Sequence, residues 1–175
     1  MLLVKAFAAV VLASGFHFVQ TAPTLAQGFK NDLAIANLFI SNPIQSDVTS
    51  SYNSTLNVLV IDEDYPDEKP VHCQIEWEAG TAPPDTTQYQ CDNVTTRAWF
   101  PENTFKGVKN FQLQFARTVI DSTVGECPQY CYLTKYAAVN LTYPGTPNNE
   151  CDTKNATCEQ RVNTTIKALV FLSVA

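Results

Sequence analysis

Between residues 71 and 120 the chain twice adopts a period of two. Val71, Cys73, Ile75 and Trp77 are apolar, with His72, Gln74, Glu76 and Glu78 in the gaps; later Phe111, Leu113, Phe115 and Val119 alternate with Gln112, Gln114 and Thr118. Successive side chains of a strand point to opposite faces, so each run specifies a strand with one buried and one wet face. A turn rich in Pro, Asp and Thr (residues 81–87) separates them, followed by Tyr89 and Cys91. A cysteine on either side of that turn offers a clip between neighbouring strands, and a sheet wet on one side is expected to be antiparallel.

The same reading extends in both directions. Leu33, Ile35, Leu38 and Ile40 form an apolar patch ending before Asn42-Pro43, read as the first strand, with a helix over residues 32–40 capped by Asp32 as the alternative. Leu56, Val58 and Val60 share one face of a second strand. Leu133, Val139 and Leu141 share a face of another, with Asn140 opposite. Val162, Ile166, Ala168, Val170 and Leu172 mark a terminal strand, with Asn163, Thr165 and Lys167 opposite. Ten prolines and a single methionine fit a turn-rich β protein. About eight short strands with frequent turns predict an all-β fold, an antiparallel barrel or sandwich stabilised by disulfides.

Residues 1–26 read as a secretory signal peptide: Lys5, an apolar run from Ala6 to Phe16, then small residues around Ala22 and Ala26. The run is broken by Ser14, Gly15 and His17, short of a membrane span. Residues 27–175 are then a single secreted, extracellular domain. Its six cysteines, Cys73, Cys91, Cys127, Cys131, Cys151 and Cys158, are an even set in an oxidising compartment. Sequence leaves about 15 pairings open, of which neighbour pairing is the simplest. Zinc is disfavoured because the spacings lack CxxC. Sequons at Asn53, Asn93, Asn140, Asn155 and Asn163 predict a glycoprotein of eukaryotic origin.

The net charge of −6 argues against nucleic acid or an anionic membrane surface as partner. Catalytic signals are absent. After signal removal the only histidine is His72, beside Cys73; there is no GxSxG elbow and no phosphate-cradling glycine loop. Glu76, Glu78, Asp85, Glu102 and Asp121 are the carboxylates a hydrolase would draw on; Glu76 and Glu78 share a strand face about 7 Å apart by strand rise, a spacing that any wet face with two glutamates gives. The acidic run from Asp62 through Asp64 to Glu68, with Pro66 and Pro70, reads as a solvated hairpin loop in preference to a calcium loop, since it has no EF-hand spacing or glycine pivot. The loop from Gly125 to Cys131 lacks the CxxC of a redox dithiol. Tyr130, Tyr132 and Tyr136 at even spacing, with Trp99 and Phe100, read as core and rim in preference to a stacking platform. No cofactor is expected.

Taken in order, several segments resemble a family. Tyr52-Asn53-Ser54 precedes the strand through Leu56, and a strand with Cys73 is followed by Tyr89-Gln90-Cys91. The segment Arg97 to Phe100 precedes the strand from Phe111, and Tyr136 to Thr142 leads into Cys151, Cys158 and a terminal apolar strand. This order resembles the small secreted fungal proteins similar to the Alternaria major allergen, over most of the chain from Leu33 onward. The resemblance implies a compact antiparallel β-barrel with disulfides Cys73–Cys91 and Cys151–Cys158. It also implies a fungal effector or allergen acting by binding, without catalysis, on a host extracellular protein such as a plant defence protein, or on a flavonoid-type aromatic molecule carried in the barrel. Two departures stand out: no cysteine precedes Cys73, so the family's dimer-forming cysteine has no counterpart, and Cys127 and Cys131 look like an addition.

Overall fold

The computed structural model describes residues 31–43, 53–152 and 154–175; the expected signal segment lies outside them. Ten strands and no helix make up the described chain: β1 Leu33–Ser41, β2 Ser54–Asp62, β3 Val71–Trp77, β4 Tyr89–Gln90, β5 Thr96–Trp99, β6 Asn110–Ile120, β7 Tyr132–Thr142, β8 Asn149–Asp152, β9 Thr157–Gln160 and β10 Ile166–Val174. Every pairing is antiparallel, in the order β3-β2-β1-β10-β7-β6-β5-β4, and the β8–β9 hairpin attaches to the far end of β1.

This sheet nearly closes into a barrel, and its seam lies between β3 and β4. The Cys73–Cys91 disulfide spans that seam with the Cα atoms 4.3 Å apart. Beside it the Asp92 amide donates to the His72 carbonyl at 2.9 Å. One covalent clip therefore ties together the two edge strands that would otherwise expose unpaired backbone. Cys151 and Cys158 face each other in register across β8 and β9, and Cys127–Cys131 closes a small loop between β6 and β7. All three pairs join sequence neighbours.

Alternation places the core. On β2, Leu56, Val58 and Val60 point inward, as do Phe111, Leu113 and Phe115 on β6 and Leu133, Ala137, Val139 and Leu141 on β7. Residues 32–40 are extended, in line with the strand reading. The spacing of three between Ile35 and Leu38 marks a β-bulge: the β1–β2 register shifts between Ala36 and Phe39, and Asn37 takes φ 51°. A second bulge breaks the terminal strand. The β10–β7 register shifts between Val170 and Leu172, so Leu172 is 39% exposed instead of buried, and Val162 lies outside the strand at 81%.

The two ends of the barrel differ. At the end holding Ser41, Ser54, Trp77 and Asn110, the rings of Trp77, Phe100, Phe105 and Phe111 pack edge-on or tilted with centroids 5.6–6.2 Å apart. Phe100 is thus core, as expected, and Trp99 is buried outside the core cluster. At the other end, Leu33 pairs with Asp62, Arg117 with Lys135, and Val174 with Thr134. Among the described residues no helix is long and apolar enough to cross a membrane.

Candidate functional site

The inward parity of β6 runs Phe111, Leu113, Phe115, Arg117, Val119, and that of β7 runs Leu133, Lys135, Ala137. Arg117 and Lys135 therefore enter the barrel as core residues. Their side chains are 1% and 0% exposed. Ions so enclosed persist only when paired and hydrogen-bonded. Asp62, the last inward residue of β2 and itself fully buried, lies between them, with Oδ1 2.7 Å from Lys135 Nζ and Oδ2 3.3 Å from Arg117 Nε. Arg117 also donates to the Thr96 hydroxyl of β5 at 3.3 Å.

The remaining partners come from the acidic run after β2. Two successive turns, Tyr65 N to Asp62 O at 3.1 Å and Glu68 N to Tyr65 O at 3.0 Å, curl the segment over the barrel end. Asp64 reaches Lys135, and Glu68 reaches Arg117. The Lys135 ammonium lies 5.4 Å from the centre of the Tyr65 ring, and the Tyr65 hydroxyl donates to Asp121 Oδ2 at 3.0 Å. Asn31 Nδ2 adds a bond to Asp64 at 2.8 Å. The expectation of a solvated loop is thus corrected in part: Glu63 and residues 66–70 are exposed, but buried Asp62 and half-buried Asp64 face the two buried cations, and Glu68 pairs with Arg117 from the exposed side. A loop that satisfies charges inside the barrel has more to gain from folding back than from hydration.

Local electrostatics follow from these contacts. Asp121 is held below the ordinary carboxylate range, chiefly by the Thr123 hydroxyl and amide it accepts at 2.6 and 2.8 Å, with smaller help from Tyr65 and Lys135. The Tyr65 phenol is raised far above its usual value, first by burial and then by its bond to Asp121 and the surrounding carboxylates.

Around this end the outer surface is apolar. Ile120 is 65% exposed, Tyr130 72% and Tyr132 49%, and Leu169, Phe171, Leu172 and Val174 of β10 continue the patch. Tyr130 and Tyr132 are therefore neither core nor packed rim, which corrects the expectation, whereas Tyr136 is half-buried on the same outer face. The register sets several of these outward positions side by side, Leu172 beside Tyr136, Val174 beside Thr134 and Ile120 beside Tyr132. The charges on the neighbouring segments are mostly acidic: Glu63, Asp67 and Glu68 with Lys69 between β2 and β3, and Asp121 and Glu126 between β6 and β7, while β10 carries Lys167.

The other candidates are dispersed. His72 points outward at the seam, 3.5 Å from Asp92 and 3.3 Å from Asn57. Glu76, Glu78, Asp85 and Glu102 are exposed: Glu76 accepts from Gln74 at 2.7 Å, Glu78 lies two residues on, and Asp85 and Glu102 each accept a hydrogen bond from Asn103. Among the described residues no group of three or more His, Cys, Asp or Glu is placed to hold a metal ion. A shallow groove of about 350 Å³ at the aromatic end is lined by Asn42, Lys106, Gly107, Val108, Lys109 and Ala156. Of the sequon asparagines, Asn53, Asn140, Asn155 and Asn163 are exposed; Asn93 is half-buried, with its Oδ1 enclosed.

Arg117 and Lys135 escaped the sequence reading although a signal existed. Each occupies an apolar-parity position between two core residues, the pattern that a buried ion leaves in a strand.

Three disulfides in a small β domain are compatible with an extracellular setting. No family model, curated protein or solved structure matches the chain.

Proposed function

We propose that the chain is a secreted, glycosylated fungal binding protein that acts without catalysis on a host extracellular protein, docking it at the charged end of the barrel. The observation that carries this reading is the exposed patch of Ile120, Tyr130, Tyr132, Leu172 and Val174 within a border of carboxylates. Apolar and aromatic side chains at the centre with charge at the rim is the anatomy of a protein interface. The acidic rim selects a partner with a basic one. The resemblance in motif order to secreted fungal effectors and allergens supports a plant defence protein as that partner. A carrier in the barrel is the weaker reading, because inward residues of β1, β2, β3, β6 and β7 pack into one apolar cluster and the ion cluster of Asp62, Arg117 and Lys135 fills the end beyond it.

The test is surface-binding analysis of the secreted protein against purified apoplastic proteins, basic and acidic, including a thaumatin-like one. A basic partner should bind, and Tyr132→Ala together with Ile120→Asp should weaken it by tenfold or more, the loss expected when central anchors are removed. Equal binding by parent and variant, or a preference for acidic proteins, would sink the reading.

A further inference from the structure

The anions that hold Arg117 and Lys135 differ in how they are fixed. Asp62 belongs to β2 and stays where the ladder puts it. Asp64 and Glu68 belong to a connecting segment anchored on the barrel end by carboxylates and by the Tyr65 bond to Asp121. We infer that residues 63–70 form an acid-released clasp, held shut by the Asp64–Lys135 and Glu68–Arg117 ion pairs and the Tyr65–Asp121 bond and lifted off the barrel end in acid, with the barrel itself still folded.

Among the described residues, the groups that the clasp meets come from four neighbouring elements and from Asn31. From β2 there is Asp62; from β6 and the turn beyond it, Arg117 and Asp121; from β7, Lys135; β5 offers the neutral Thr96 hydroxyl, and Asn31 a neutral amide. At neutral pH two cations meet carboxylates on all sides. Acid removes the attraction of Asp64 and Glu68 and leaves two register-paired cations sharing the single carboxylate of Asp62, which draws water into the site. Asp121 is held ionised by its own bonds, so its share of the stability is present above the ordinary carboxylate pKa and is lost as pH falls through its lowered value.

The barrel has supports apart from the clasp. Above Arg117 and Lys135 the inward positions Phe115, Leu113, Phe111, Ala137, Val139 and Leu141 carry no charge, and the Cys73–Cys91 bond still holds the seam. Opening would convert an acidic end into one that presents Arg117 and Lys135. Only the consequence for a docked partner rests on the proposed function; the opening itself does not.

Hydrogen exchange read by mass spectrometry on the intact glycoprotein, between pH 6 and pH 3 and corrected for intrinsic pH dependence, tests the clasp without any partner. The amides of Asp64, Tyr65 and Glu68 are hydrogen-bonded in the closed form. Exchange in residues 63–70 should rise at least tenfold by pH 3 while residues 111–116 stay protected. Asp64→Asn combined with Glu68→Gln should show the raised exchange already at pH 6. Opening of both regions together, unchanged protection of residues 63–70, or a double variant as protected as the parent would each overturn the clasp. Should the double variant fail to fold, Tyr65→Phe, which loses only the bond to Asp121, must move the opening to higher pH; an unmoved midpoint would count equally against it.

Discussion

Arg117 and Lys135 are register partners on adjacent strands, both pointing into the barrel and both closed off from solvent. Like charges opposite one another in a sheet repel, so this pair exists only because Asp62, Asp64 and Glu68 are brought to it from β2 and the segment that follows.

Breaking that balance from the cationic side should be costly. Lys135→Met leaves the Asp62 carboxylate enclosed without its shortest contact, and removing one partner of a buried ion set costs about 3–5 kcal/mol. Urea denaturation should show a midpoint lowered by that amount with an unchanged slope. A loss below about 1 kcal/mol would mean that the cluster is solvated in solution.

The phenol of Tyr65 gives an optical readout of the same site. Because burial and the bond to Asp121 raise its pKa, the folded state favours the protonated ring. The associated stability is present below the ordinary tyrosine pKa and is lost only at higher pH, as the folded value is approached. In an alkaline titration followed by phenolate absorbance, the difference between parent and Tyr65→Phe should stay near zero through pH 10, where a free tyrosine is half ionised. Asp121→Asn should bring the Tyr65 signal to lower pH.

Among the disulfides, Cys73–Cys91 should matter most. It encloses the longest segment, 18 residues against 7 and 4, and it alone joins the two edges of the sheet. Chain entropy assigns it on the order of 3 kcal/mol. Paired alanine variants should therefore rank Cys73/Cys91 as the most destabilising in thermal melts. A larger loss for Cys127/Cys131 would refute the seam's role.

The bulge in β1 is testable at Asn37. With φ at 51°, Asn37→Gly should be nearly neutral, whereas Asn37→Val should cost about 1–2 kcal/mol, because a β-branched side chain is strained in the left-handed region. Chemical denaturation of the two variants separates these outcomes. Equal effects would argue that the bulge relaxes.

The alternations around Cys73 and Phe111 were enough to specify strands, faces and an all-β class, because a period of two is local and every second residue declares its environment. The cysteine neighbours were likewise legible, since hairpin partners are close in sequence and in space. Strand number, the two bulges and the closing of β3 onto β4 were not, for these depend on which edges meet. The acidic run shows the limit most clearly. Charge in a turn reads as solvated, and only the tertiary structure places Arg117 and Lys135 beneath it. Their partners lie 49 to 73 residues away, beyond anything a local pattern encodes. The exposure of Tyr132 was decided the same way: even spacing read it as core and rim, and in the structure it is an outward position of β7 opposite the exposed Ile120 of β6.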